Sequence, residues 1–242
     1  MPRCVLSCDN LCFLILRILN GYTNILIYGS EVLPGCKVIA QGSADADAII
    51  TVDFGQGTCS TGASASLHAG IISINGNEIV SFSTAYKDIV FVTSDCADEI
   101  SIFETYSDAS SVEVISNAGD DNIIIGGDNR PLDTNIFCNI IVDGGPGSDV
   151  LTIRDYDSLV SKSVEVHSTM LRGLYGSEDE AIFYFYVEEI DMTLCDADAQ
   201  VDVYSTAKHA KLTLTTGGKA SIFGSIPLLL QSFTKLFHSR WR

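Results

Sequence analysis

Short apolar runs recur along this chain in which hydrophobic positions alternate with small or polar ones, each run bounded by Asp, Asn or Gly. A period of two is that of a half-buried β-strand, whose successive side chains face opposite ways. Five predicted strands follow an aspartate: Asp47 leads 49–52, Asp88 leads 89–92, Asp98 leads 100–103, Asp121 leads 123–125 and Asp149 leads 151–153. Strands of the same size without a leading aspartate are predicted at 71–74, 112–115, 140–142, 164–166, 190–194, 201–204, 212–214 and 220–223.

The spacing of equivalent strands points to an architecture. Asp98, Asp121 and Asp149 lie 23 and 28 positions apart, Val112, Ile140 and Val164 lie 28 and 24 apart, and Ile190 precedes Leu212 by 22. Two short strands per period of 20 to 30 residues, with no helix between them, predict an all-β parallel β-helix or β-solenoid. A sandwich built of hairpins is the rival, but it needs tight two-residue turns, and Asn75-Gly76 is the one good Asn-Gly turn beside the predicted strands. Helical signals are confined to the ends, which predicts short terminal caps. The division expected is an N-terminal apolar cap over 1–30, a repeat domain over 31–224 and a basic amphipathic tail over 225–242, with Leu229, Phe233, Leu236 and Phe237 as its apolar stripe.

Composition narrows the partners. Hydrophobic residues make up 46% of the chain and charged ones 19%, too apolar for a disordered segment. A formal charge of -17 repels phosphate backbones and anionic lipid, which argues against nucleic acid and against a membrane surface. The longest early apolar run, 11–19, is broken by Arg17 and is too short to cross a bilayer or to make a clear signal peptide. Of the 31 acids 21 are Asp, many beside Gly or Asn, where short carboxylates can converge on a hard cation.

Other chemistry is weakly signalled. The eight cysteines are dispersed, without a C-x-x-C pair or a histidine at zinc-ligand spacing, and the four histidines are isolated from any nucleophile pattern. Arg154-Asp155-Tyr156-Asp157 is the one cluster that suits an enzyme, since parallel β-helices host polysaccharide lyases that pair acids with a basic residue.

The sharpest motif is Gly144-Gly145-Pro146-Gly147-Ser148-Asp149-Val150-Leu151-Thr152, which fits the nonapeptide G-G-x-G-x-D-x-U-x throughout. A partial copy at 116–124 keeps Gly119, Asp121 and the inward Ile123. These two turns resemble the hemolysin-type calcium-binding (RTX) repeats, and a looser likeness to very large secreted repeat proteins runs over 40–218. The resemblance implies a parallel β-roll that binds Ca²⁺ between stacked turns, with Gly119, Asp120, Asp121, Asp143, Gly145, Gly147 and Asp149 as the metal-binding set. The turns at 176–179 and 195–200 depart from the pattern, because the expected glycines are largely lost. The function expected is a non-enzymatic structural or adhesive module, extracellular or at the cell surface, with calcium and a carbohydrate or cell-surface protein as partners. A polysaccharide-active enzyme on the same scaffold and a fragment of a larger repeat protein are the alternatives.

Overall fold

The computed structural model describes residues 13–17, 24–28, 37–41, 49–53, 62–68, 70–82, 88–106, 109–175, 179–195, 197–208, 210–216 and 220–223. Within them the chain is almost entirely β. The first strands are β1 (Phe13–Arg17), β2 (Asn24–Tyr28), β3 (Lys37–Gln41), β4 (Ile49–Asp53), β5 (Ser64–His68), β6 (Ile71–Ile74) and β7 (Asn77–Phe82). The middle of the chain supplies β8 (Asp88–Val92), β9 (Glu99–Ile102), β10 (Ser111–Ile115), β11 (Asn122–Gly126), the short helix α1 (Leu132–Asn135), β12 (Asn139–Asp143) and β13 (Val150–Arg154). The last are β14 (Lys162–His167), β15 (Met170–Arg172), β16 (Ala181–Phe185), β17 (Glu189–Leu194), β18 (Ala199–Val203), β19 (Lys211–Thr216) and β20 (Ala220–Phe223).

These strands form two mixed sheets. The first has the order β1-β3-β7-β6-β5-β9-β11-β13-β17-β19, the second β2-β4-β8-β10-β12-β16-β15-β14-β18-β20. From β8 to β13 the chain changes sheet at every strand, so each strand pairs with the one two places later and the pairs are parallel. The register repeats residue for residue: Ile100, Ile123, Leu151, Ile190 and Leu212 occupy one level of the first sheet. Ile89, Val112, Ile140 and Ile182 do the same in the second. All nine are buried. Burying a side chain of this size contributes roughly 1.5–3 kcal/mol relative to exposure, so a shift of one residue, which would turn every such column outward, is strongly disfavoured.

Each sheet also carries one antiparallel meander of three strands. In the first sheet it is β5-β6-β7, in the second β14-β15-β16. The Asn75-Gly76 pair closes the β6–β7 hairpin, with φ of 49° and 75°, the left-handed conformations that a two-residue turn of this hand requires. Sequence periodicity shows only the β6 and β14 strands of these meanders. Its failure has local causes: β16 reads AIFYF, apolar at every position, β15 has three residues, and β5 is mostly Ser and Ala.

For the N-terminal cap, where the sequence allows a short helix or a strand, the described residues are the strands β1 and β2, which pair in parallel with β3 and β4 and so belong to the sheets. The run FLILR is apolar nearly all round, and such a run suits a buried strand as well as a helix. The predicted helix in the tail 225–242 lies outside the described residues.

Candidate functional site

Three six-residue turns, 93–98, 116–121 and 144–149, carry the chain from the second sheet into the first, and each ends in an aspartate. Parallel stacking of the strands places these aspartates one above another. Asp121 Oδ1 accepts the Asp98 N–H at 2.7 Å, and Asp149 Oδ1 accepts the Asp121 N–H at 2.9 Å. The column continues at both ends. Glu188 Oε2 accepts the Asp149 N–H at 2.9 Å, and Asp98 Oδ1 accepts the Ala63 N–H. Four carboxylates thus take four backbone N–H groups, each donated from the neighbouring turn. The adjoining backbone completes the seam, with Asn122 N–H bonded to Asp98 O and Val150 N–H to Asp121 O, both at 2.9 Å.

The column is dry. Asp98, Asp121 and Asp149 are all buried, and Oδ2 of both Asp121 and Asp149 has no hydrogen-bond partner. Burial pushes the Asp121 carboxyl up to about 7; the Asp98 N–H opposes this, while Asp149, Asp98 and Asp120 add repulsion. Asp149 rises to about 6 for the same reason, burial first, against the Asp121 N–H, with Glu188, Asp120 and Asp143 nearby. Asp98 Oδ2, unlike Oδ2 of Asp121 and Asp149, has partners: it accepts the Ser94 N–H at 2.7 Å and the Ser94 hydroxyl at 2.8 Å.

The glycines of the nonapeptide follow from the same stacking. A Cβ on Gly147 would lie 1.7 Å from Gly119 O, and one on Gly144 2.2 Å from Tyr186 O. Gly145 has φ 73°, and a Cβ there would meet Asn117 O at 2.0 Å. Backbone from three successive turns approaches too closely for any side chain between them.

The residues of the expected metal set therefore divide. Asp121 and Asp149 stand in the column; Asp120 Oδ1 accepts the Ser148 N–H at 3.0 Å across turns; Asp143 Oδ1 accepts the Gly145 N–H at 3.2 Å within its own turn. Gly119, Gly145 and Gly147 are the contacts between turns. Among the described residues no three Asp, Glu, His or Cys side chains are grouped so that they could hold a metal ion. Calcium takes six to eight oxygens, and in this structure Oδ1 of Asp120, Asp121, Asp143 and Asp149 each accepts a backbone N–H.

Sequence reading missed two members of the column. Asp98 was visible as a strand leader at the right spacing, but no glycine-rich motif surrounds it. Glu188 immediately precedes β17 as Asp149 precedes β13, yet its turn, 186–188, is half as long, and the longer side chain spans the difference. The Arg154–Asp157 cluster is likewise occupied by neighbours: buried Asp155 Oδ1 accepts the Leu132 N–H at 2.9 Å, and Asp157 Oδ2 accepts the Asn129 N–H. Comparison with known proteins finds no matching family model, no matching curated relative and no matching solved structure.

Proposed function

We propose that this chain is a non-enzymatic structural module, a parallel β-solenoid with two flat faces and two inserted meanders, that displays its surface as a scaffold or adhesin outside the cell. The carboxylate column carries this reading. It links four successive turns through groups that a catalytic or signalling site would leave free, and it runs beside one continuous apolar interior. Parallel partners two strands apart, joined through a strand of the other sheet and at most the four-residue α1 rather than a long crossover helix, support the solenoid. The disulfide at Cys96 supports an oxidising compartment.

Backbone N–H groups, rather than a metal, satisfy the column in this reading. Scanning calorimetry of the whole chain in chelator and then in excess calcium separates the two. The expected result is one cooperative transition at the same temperature in both. Calcium at one hundred times its Kd would instead raise stability by about 2.7 kcal/mol, or roughly 5–10 °C for a chain of this size, and such a rise would return the metal to the turns. Release of unsaturated uronates from any of a panel of acidic polysaccharides would replace the scaffold reading with the enzymatic one.

A further inference from the structure

Across β12, β16, β15, β14 and β18 the outward face of the second sheet carries one apolar and aromatic level. In β12, β14 and β18 the buried positions alternate with exposed or half-exposed ones, and in β16 Phe183 and Phe185 are the positions left unburied, which fixes the outward residues. Register then sets Ile141, Phe183, Met170 and His167 at one level on adjacent strands. Tyr204 extends the row, its ring stacked on His167 with centroids 4.8 Å apart and planes 8° from parallel. At about 4.8 Å per strand this row is roughly 19 Å long.

Tyr204 in the row, and Phe185 and Tyr186 at the end of β16 beyond Phe183, are exposed aromatics. Tyr204 is 59% exposed, Phe185 42% and Tyr186 71%. Tyr186 is also held at φ 53°, a left-handed conformation that costs a bulky residue energy, and its carbonyl is packed against Gly144 of the neighbouring turn. Strained backbone that keeps a large ring in water is an observation the packing of the core does not explain. The next outward level is polar: Glu165 is paired with Arg172 on one side and Asp202 on the other, and Glu165 Oε2 lies 3.3 Å from His167 Nε2.

From this arrangement we infer that the β16–β18 region of the second sheet is a binding platform for an uncharged oligosaccharide, with Tyr204, Phe185 and Tyr186 stacking on sugar rings and Glu165, Arg172 and Asp202 bonding their hydroxyls. It deepens the adhesive reading above and rests on it. Three features choose this occupant. Sugar rings present apolar C–H faces and polar edges, which match exposed aromatic rings on a face that also carries a charged level. A formal charge of -17, with Glu165 and Asp202 on this face, disfavours anionic polysaccharides and anionic lipid. Three aromatic side chains of about 200 Å², near half exposed, offer roughly 300 Å², well short of the about 800 Å² per partner that a stable dimer needs. The His167 stack also holds the Tyr204 ring in place before binding, which lowers the entropy lost on association.

The test is calorimetric titration of the full chain with cellopentaose, maltopentaose and xylopentaose at millimolar concentrations, alongside sedimentation of the same samples. Saturable binding of at least one is expected, weakened about tenfold by Tyr204→Ala or Tyr186→Ala and retained by Tyr204→Phe, since ring stacking and not the hydroxyl makes the contact. Both side chains are exposed, so the variants should melt with the parent. Absence of binding to all three sugars would overturn the platform, as would binding that survives both alanine variants or self-association that Tyr204→Ala abolishes. None of these outcomes changes the melting behaviour by which the scaffold reading is judged, so the two fail separately.

Discussion

The two corners of the molecule bury the same residue type in opposite ways. At the corner leading into the first sheet, Asp98, Asp121 and Asp149 accept backbone N–H groups, Asp98 also the Ser94 hydroxyl, and among the described residues no lysine or arginine is hydrogen-bonded to them. At the corner leading into the second sheet, Asp155 takes the Leu132 N–H, and buried Lys162 stands beside it: Nζ lies 3.5 Å from Asp155 Oδ2, 3.1 Å from Asp133 Oδ1 and 2.9 Å from Leu174 O. The difference reflects turn length and shape. Six-residue turns that repeat can stack N–H on carboxylate indefinitely, whereas the second corner has unequal loops, among them 127–138 with α1, which need one long flexible side chain to join them.

Breaking the second corner should have the largest effect. Lys162→Met keeps the volume but leaves two carboxylates without their cation, one of them fully buried, and a loss of about 3–5 kcal/mol is expected in urea unfolding. A loss under about 1 kcal/mol would show that Lys162 is replaceable. Breaking the first corner should cost less. Asp121→Ala strips the buried Asp98 N–H of its acceptor, worth about 1–3 kcal/mol, while Asp121→Asn keeps an acceptor and should be close to neutral or stabilising above pH 7. Equal losses in the two variants would mean that shape, not hydrogen bonding, sets the value of this position.

The smallest and most diagnostic effect is that of pH. Asp121 and Asp149 are raised in the folded chain to about 7 and about 6, so their contribution is complete below the unfolded carboxylate range and is lost as pH rises through those values. Asp133 has the opposite sign. Burial pushes it up, but bonds from Lys162 and Ser158 together with the lysine charge outweigh burial and hold it below its ordinary range. Its contribution is present above that range and lost as pH falls. The urea midpoint should therefore decline from about pH 5 to about pH 8, and Asp121→Asn should flatten much of the decline. An unchanged slope in that variant would place the titrating group elsewhere.

Several elements were legible from residue order alone because their cause is local. Alternation located β4, β8 to β14 and β17 to β20, and the 23- and 28-residue spacing brought Asp98, Asp121 and Asp149 into correspondence. Asn75-Gly76 announced its own hairpin, since two left-handed residues in succession favour that turn. Glycines 144, 145 and 147 were recognised as a motif, and the stacking adds that none of them leaves room for a Cβ. Spacing says that three turns are equivalent, but not whether their carboxylates turn toward a cation or toward the next backbone.

Residue order by itself therefore determined a β-rich chain with repeating strand levels and aspartates at their corners, because side-chain periodicity and turn chemistry act over a few residues. Only the tertiary structure decided that Glu188 completes a column begun by Asp98, that Lys162 reaches into the opposite corner, and that Phe183, His167 and Tyr204 form one outward row. Each of those facts depends on which strands lie side by side across tens of residues. Two antiparallel meanders settle that pairing by placing β5 and β14 next to strands of the following turn, β9 and β18, a choice governed by burial of the whole interior rather than by any single segment.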